Sequence, residues 1–199
     1  MKYLFLIVPL SIFLFSCKKN STQKANTSSA AYFPNTVGDF WKYKVIDSLT
    51  NSYSFVEVNI IGTQLLPTGN TANVWTFAYS THVDTNFVYQ SGDTINFLES
   101  NSLRVLETYF NPLILNNAWP KTSYYLDSIK VIEQGPFAFS NLNFENAFLL
   151  KEQGAGPNYY ISKIEWFCPN IGMLTKVKKE FDLSPVESTY WELVEYQLQ

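Results

Sequence analysis

Hydrophobic and polar residues alternate one by one along most of the chain after residue 40. In the segment Trp41–Val45, the aromatic and aliphatic side chains fall on one face and the two lysines on the other. The segment "VWTFAY", residues 74–79, places its three aromatic rings on one side. A period of two, filled by β-branched and aromatic residues, is typical of half-buried β-strands. The pattern therefore predicts an all-β protein.

Turn residues separate the alternating segments at short intervals, as in "PTGN" at 67–70, "SGD" at 91–93 and "GAGPN" at 154–158. Because glycine, proline, asparagine and aspartate favour tight turns, we expect consecutive strands to form hairpins. A flat sheet of this size would expose long edges. We therefore predict a single antiparallel meander of about ten strands, curved into an open barrel or half-barrel, with a β-sandwich as the alternative.

An aromatic–proline–tryptophan phrase occurs twice, as "YFPNTVGDFWKY" from Tyr32 to Tyr43 and as "YFNPLILNNAWP" from Tyr109 to Pro120. The spacing from proline to tryptophan is the same in both copies. Gly38 in the first copy and Asn116 in the second can each make the turn between them. We interpret both phrases as framework, and we expect the tryptophan of each to be largely buried.

The N-terminus has the pattern of a targeting segment. Met1 and Lys2 precede an apolar run of 13 residues, and "LFSC" ending at Cys17 follows. A membrane-spanning helix needs ~20 apolar residues, so the run is too short for one. Ser16, a small residue directly before the cysteine, and Leu14, two positions earlier, resemble the lipobox of bacterial lipoproteins. The resemblance implies a signal peptide at residues 1–16, cleavage before Cys17 and acylation of Cys17, which would anchor the protein at a membrane.

Residues 17–31 are polar and contain no aromatic residue. Such a segment cannot offset the entropy of ordering, which predicts a flexible tether. Residues 32–199 are long enough for one β-rich domain. Four of the 14 basic residues and none of the 17 acidic residues precede Tyr32, so the domain carries ten basic and seventeen acidic residues. A nucleic-acid partner is not expected, since phosphate contacts require a basic face.

The search for catalytic chemistry finds no specific motif. His82 is the single histidine, which excludes sites built from several histidines. His82 and Asp84 share a strand face, but no G-x-S-x-G nucleophile motif, phosphate loop or calcium loop occurs. Carboxylates such as Glu165, Glu180 and Glu192 have no spacing that indicates a hydrolytic pair. We therefore assign no catalytic residue, metal or cofactor, and expect the protein not to be an enzyme.

Two smaller features have simple structural interpretations. Acylation of Cys17 would leave Cys168 without a disulfide partner, so we expect Cys168 to be a small buried residue. Lys176 and Lys178 project from one strand face, which we interpret as a solvated surface.

The order of several motifs resembles a family of Bacteroidota lipoproteins without assigned activity. The lipobox and tether are followed by "YFPNTVGDFWKYKV", then by "NPLILNNAW", "NFENAFLLKE" and "CPNIGMLTKVKKEF". The resemblance implies a β-rich domain similar to the half-barrel of the LolA and LolB lipoprotein carriers. A fold-level resemblance of this kind implies no reaction.

The expected function is that of a membrane-anchored, non-enzymatic lipoprotein that binds a lipid or other hydrophobic ligand in the concave face of its sheet. An interaction module for an envelope protein or glycan is the alternative, and a hydrolase a more distant one. The tryptophans proposed to line the ligand site are Trp41, Trp75, Trp119 and Trp166. Lys18, directly after Cys17, resembles outer-membrane sorting, so we expect a lipid-anchored protein of the cell envelope at the outer membrane, facing the periplasm.

Overall fold

The structure is a computed structural model that describes residues 33–120, 128–156, 159–182 and 186–199. These ranges contain β-strands and no helix. The strands are β1 (Phe40–Asp47), β2 (Ser52–Leu65), β3 (Thr71–Ala78), β4 (Val83–Ser91), β5 (Thr94–Glu99), β6 (Val105–Phe110), β7 (Ala118–Pro120), β8 (Ser128–Phe139), β9 (Leu142–Gly156), β10 (Tyr159–Cys168), β11 (Gly172–Asp182) and β12 (Glu187–Gln197).

The N-terminal segment, residues 1–32, lies outside the described residues. The signal peptide, the acylated Cys17 and the tether therefore stay predictions. Within the described ranges, no helix is long and apolar enough to cross a membrane.

All the strands belong to one antiparallel sheet, in the order β6-β5-β4-β3-β2-β1-β12-β11-β10-β9-β8-β7. The first and last strands pair with each other at its centre, from Phe40 opposite Gln197 to Asp47 opposite Thr189. Every other neighbouring pair is consecutive in the chain, so each half of the sheet is a meander. The predicted all-β antiparallel meander is confirmed, and it forms one sheet instead of the two of a sandwich.

The sheet curls strongly, as one ion pair across its concave face demonstrates. Lys163 on β10 contacts Glu107 on β6, although these strands lie eight positions apart in the sheet. In a flat sheet eight strand spacings would separate them by roughly 38 Å. The curvature therefore turns the sheet into a half-barrel with the concave face inside.

The two edge strands meet through side chains and not through a backbone ladder. Trp119 on β7 donates its indole N–H to the carbonyl oxygen of Thr108 on β6, at 2.8 Å. The Trp119 ring also packs against Phe110, with centroids 5.2 Å apart. No β6–β7 pairing occurs among the described residues, so the barrel stays open.

The described residues form two strands more than the predicted ten, namely β4 and the short β7. The alternation of β4 is hard to recognise because two of its inward positions, Asp84 and Asn86, are polar. The strand β7 spans three residues inside the second aromatic phrase. The hydrophobic pattern of the sequence therefore gives only a weak signal for either strand.

Residues of the first aromatic phrase fill one end of the concave face. The Phe33 ring stacks on Phe167 with centroids 5.4 Å apart, and Trp41 stacks on Trp75 at 5.1 Å. The indole N–H of Trp41 donates to the carbonyl oxygen of Ile171 at 2.6 Å, so its polar atom is satisfied. We call this aromatic part of the interior the closed end.

Both phrases behave as framework. Gly38 has φ +98° and Asn116 has φ +69°, so each makes a left-handed turn as expected. The φ of Gly38 explains why glycine is needed there, because L residues with a side chain rarely adopt it; a Cβ atom would also have to displace the Gln199 side chain, 2.9 Å away. The prediction that Trp41 and Trp119 are buried is confirmed, with exposed fractions of 1% and 4%.

Candidate functional site

A cavity of about 650 Å³ occupies the concave face beside the closed end. This volume is typical of small-molecule sites, which span roughly 300–1,000 Å³. The deep part of the cavity is apolar and is lined by Phe33, Trp75, Phe97 and Met173. The outer part carries the charged side chains of Asp84, Glu99, Lys178 and Glu187. We call this outer part the open end.

Four ionisable side chains meet at the wall of the cavity. The ammonium of Lys163 lies 3.0 Å from Oε2 of Glu152 and 3.5 Å from Oε2 of Glu165, and it also contacts Glu107. Lys163 and Glu152 are direct partners on β10 and β9, while Glu107 reaches them from β6 across the curled sheet. We call these four residues the charged cluster.

Strand alternation explains how charged residues enter the interior. Ile161, Lys163 and Glu165 alternate along β10 and point to the same face. Phe167 continues this alternation and lies on the same face, and the register shift beside it is taken up by Leu174 on β11. All four inward residues are buried, with Glu165 only 2% exposed. Burial lowers the pKa of Lys163, and the charge of Glu165 opposes that effect.

Two buried tyrosines stand beside the charged cluster. Tyr43 donates its hydroxyl to the carbonyl oxygen of Met173 at 3.0 Å. Burial raises the pKa of Tyr43, and the charge of Glu165 adds to the shift. Burial and the neighbouring Glu165 also raise the pKa of Tyr109 well above its usual value. Both hydroxyls are therefore neutral at physiological pH and can act as hydrogen-bond donors.

Lys176 faces the cavity from β11, directly opposite Glu165 in the strand register. Its ammonium lies 4.0 Å from the ring centroid of Trp191. Burial, followed by the charge of Lys163, lowers the pKa of Lys176 to about 8. The interpretation of Lys176 and Lys178 as a solvated strand face was wrong, because β11 directs both side chains into the concave face, where they line the cavity.

The structure separates the four tryptophans proposed as ligand-lining residues. Trp41 and Trp75 line the cavity. Trp119 lies outside its lining, at the sheet edge, and Trp166 lies outside it too, stacked on Phe137 with centroids 4.3 Å apart. Trp191, which the sequence did not single out, lines the cavity. A role of any of them in ligand contact stays a prediction.

His82 lies at the tip of the β3–β4 hairpin. Its Nδ1 is 2.9 Å from the hydroxyl oxygen of Thr81, and its Nε2 is 3.6 Å from a carboxylate oxygen of Asp84. The side chains of His82 and Asp84 are both more than half exposed. A histidine this exposed, beside a hydroxyl on a hairpin tip, does not have the buried, oriented surroundings of a catalytic base.

The cavity is lined by two neighbouring carboxylates, those of Glu107 and Glu165, and both contact the ammonium of Lys163. Glu152, the third carboxylate of the charged cluster, is 1% exposed and is not part of the cavity lining. A molecule in the cavity would therefore meet Glu107 and Glu165 but not Glu152. Because Lys163 is shared by both lining carboxylates, neither is the free carboxylate that a glycosidase nucleophile or base requires.

The described residues were searched for metal ligands and for a reactive thiol. No group of three histidine, cysteine, aspartate or glutamate side chains in the described ranges could hold a metal ion. Cys168 is a free thiol and is buried as predicted. Burial raises its pKa to about 11, so the thiol is neutral at physiological pH.

No family model and no curated protein matches the chain. Several solved structures are similar to it, among them the following two. A candidate lipoprotein from Parabacteroides distasonis is 14% identical with a TM-score of 0.45, and the alignment covers 84% of this chain and 98% of that one. A candidate exported protein with a YmcC-like fold from Bacteroides fragilis is 12% identical with a TM-score of 0.43, covering 84% and 99%. Similarity at this level assigns no function.

Proposed function

We propose that this protein is a membrane-anchored, non-enzymatic lipoprotein of the cell envelope, whose half-barrel binds a hydrophobic molecule in its concave face. The observation that carries the proposal is the cavity of about 650 Å³, with an aromatic deep part and a charged opening. Such a division suits an amphiphile, because apolar surface is stabilised in the deep part while a polar headgroup stays near charges and water.

The anchor and location in this proposal rest on the sequence. The "LFSC" motif ending at Cys17 supports acylation, and Lys18 after it supports retention at the outer membrane on the periplasmic side. A tethered binding domain in that position would meet lipids and lipoproteins directly.

The cavity favours ligand binding over docking through the outer surface. The most exposed aromatic pair on the convex face is Tyr53 and Phe55, with rings 6.0 Å apart. Lys44 already lies over the Tyr53 ring at 5.0 Å, and Lys42 over the Phe55 ring at 5.5 Å. Because these ammonium groups occupy one face of each ring, the pair is a weaker platform for a glycan or protein.

Native mass spectrometry tests the proposal. The protein is purified whole from its own envelope, released by proteolysis within residues 18–31 and sprayed under gentle conditions. We expect a discrete mass increment from a co-purified amphiphile. Asn86→Trp should remove it, because Asn86 lines the cavity. Tyr53→Trp on the convex face is the matched control and should retain it.

Two results would contradict the proposal. The first is an unliganded wild-type protein under conditions that preserve non-covalent complexes. The second is an increment that survives Asn86→Trp but disappears in Tyr53→Trp, which would transfer the binding function to the convex face.

A further inference from the structure

The side chain of Glu165 is the least satisfied polar group facing the cavity. It is 2% exposed, and neither carboxylate oxygen receives a well-formed hydrogen bond from a described residue. Its two polar neighbours are weak donors: Lys163 Nζ stands 3.5 Å from Oε2, and the Tyr109 hydroxyl interacts with the carboxylate without the geometry of a full hydrogen bond. A buried carboxylate costs several kcal/mol unless it is both paired and hydrogen-bonded.

Lys163 cannot fully compensate Glu165, because two other carboxylates share its ammonium. Its contacts with Glu107 and with Glu152, at 3.0 Å, are shorter than its contact with Glu165. Three carboxylates thus surround one ammonium. Glu107 and Glu165, which both line the cavity, therefore share one ammonium, and an excess of negative charge remains on these two residues.

Lys176 does not remove this excess, although it is the direct cross-strand partner of Glu165. Its ammonium lies over the Trp191 ring, and no ion pair within 4.0 Å joins it to a carboxylate in the described part of the chain. The cavity lining as a whole is acidic, with five carboxylates against two lysines. These residues are Asp84, Glu99, Glu107, Glu165, Glu187, Lys176 and Lys178.

Aromatic rings stand next to these charges. Trp191, Tyr79 and Phe77 line the same cavity. The faces of aromatic rings attract cations, by ~0.5–2 kcal/mol each, and Lys176 over Trp191 is an internal example. An acidic lining combined with aromatic faces favours a cationic group over an anionic one.

Resting on the proposed function, we infer that the ligand is an amphiphile with a protonated amine as its headgroup, which donates hydrogen bonds to Glu165 while its hydrocarbon part lies on the aromatic residues of the closed end. A primary ammonium has three donors, enough for both a carboxylate and a neighbouring acceptor. A carboxylate headgroup would approach five like charges, with Lys176 and Lys178 as its favourable partners.

Isothermal titration with three probes of equal chain length tests the inference. Dodecylamine, 1-dodecanol and dodecanoate are titrated below their aggregation concentrations into the protein released as above. We expect dodecylamine to bind at least about tenfold more tightly than 1-dodecanol, since a charge-assisted bond is worth ~1.5 kcal/mol or more. Dodecanoate should bind most weakly.

Two isosteric variants separate a direct contact from a general effect of charge. Glu165→Gln should reduce the preference for dodecylamine to about threefold or less, as expected when a charged acceptor becomes neutral. Glu57→Gln removes the same charge from a convex-face residue that pairs with Lys42 at 2.7 Å, and should leave the preference unchanged. Lys176→Met should tighten dodecylamine binding, because it removes a like charge from the cavity.

The outcomes distinguish the inference from the proposed function. If dodecanoate binds most tightly, or if Glu165→Gln and Glu57→Gln have equal effects, the amine inference is wrong while the ligand-binding function stands. If none of the three probes binds the wild-type protein, both fail. The wild-type order of affinities tests the inference even if Glu165→Gln does not fold.

Discussion

The closed end and the open end of the concave face are built on the same sheet but in opposite ways. At the closed end, the Trp75 ring packs against both Trp41 and Phe33. The indole N–H of Trp41 is hydrogen-bonded, so no polar atom of its side chain is unsatisfied. The open end carries Asp84, Glu99, Lys178 and Glu187, and next to it Glu165 and Lys176 face the cavity of about 650 Å³ without pairing with each other. Both regions alternate correctly with the strands, so the difference lies in which side chains occupy the inward positions.

This contrast teaches where stability and function reside. Aromatic packing satisfies itself and needs no ligand. A buried charge is stable only when it is paired and all its hydrogen bonds are made. Proteins retain buried charges with missing hydrogen bonds chiefly at functional sites. The closed end is therefore framework and also the apolar wall of the cavity, whereas the charged residues beside it are the part of the molecule that is prepared to bind a polar headgroup.

The largest effect is expected from the closed end. Trp41→Ala removes a fully buried indole and its hydrogen bond to Ile171, and should lower the free energy of unfolding by ~3–5 kcal/mol. Urea denaturation measures it. Trp166→Ala, which removes a half-buried indole outside the cavity, is the control and should cost clearly less. Equal costs would contradict the assignment of the closed end as the main framework.

Removing the cation of the charged cluster should destabilise the protein by a similar amount. Lys163→Met leaves Glu107, Glu152 and Glu165 without their shared ammonium, at a cost of ~3–5 kcal/mol at neutral pH. Protonation of these carboxylates removes their mutual repulsion, so the deficit relative to wild type should shrink as the pH falls from 7 to 5. A deficit that is constant over this range would show that packing, and not charge, dominates.

A smaller effect of opposite sign is expected for Lys176, which lines the cavity. Lys176→Met removes an ammonium whose pKa is lowered to about 8 by burial, and should raise the free energy of unfolding by roughly 1 kcal/mol at pH 7. Because the folded pKa lies below the unfolded one, the unfolded wild-type chain binds more protons between these values, and wild-type stability rises with pH there. The advantage of the variant should therefore decline from pH 8 to pH 9.5, as measured by denaturation at several pH values. A pH-independent difference would contradict the charged, buried state of Lys176.

The smallest effect is expected on the convex face. Tyr53 is 65% exposed, so Tyr53→Ala should change the free energy of unfolding by no more than ~0.5 kcal/mol, and it should leave ligand binding unchanged. Denaturation and titration with dodecylamine check both. A loss of binding here would move the site from the concave to the convex face.

Most of the strands could be predicted from the sequence. The predicted strand "TINFLE" coincides with β5 (Thr94–Glu99), because its alternation is strong and its turns are marked by glycine and aspartate. The framework role of Trp41 and Trp119 was accessible for the same reason. What local patterns do not specify is the pairing of β1 with β12, since these strands are far apart in the chain.

The site was harder to predict from the sequence. Its charged residues occupy inward positions of strands, and hydrophobic alternation predicts apolar residues at those positions. Lys163 and Glu165 occupy the same alternating face as Ile161, and that position in a buried strand is the signal that could have identified them. Glu107 could not be connected with them, since only the curvature of the whole sheet brings β6 to β10. The same curvature turns Lys176 toward the cavity, whereas alternation alone assigned it to solvent.

A crystal structure of the protein with dodecylamine tests most directly that the concave cavity is the binding site. We expect the alkyl chain to lie among Phe33, Trp75 and Phe97, with the nitrogen within hydrogen-bond distance of Glu165 and the closed end unchanged. An alkyl chain bound on the convex face at Tyr53 and Phe55, with the concave cavity free of it, would contradict this assignment.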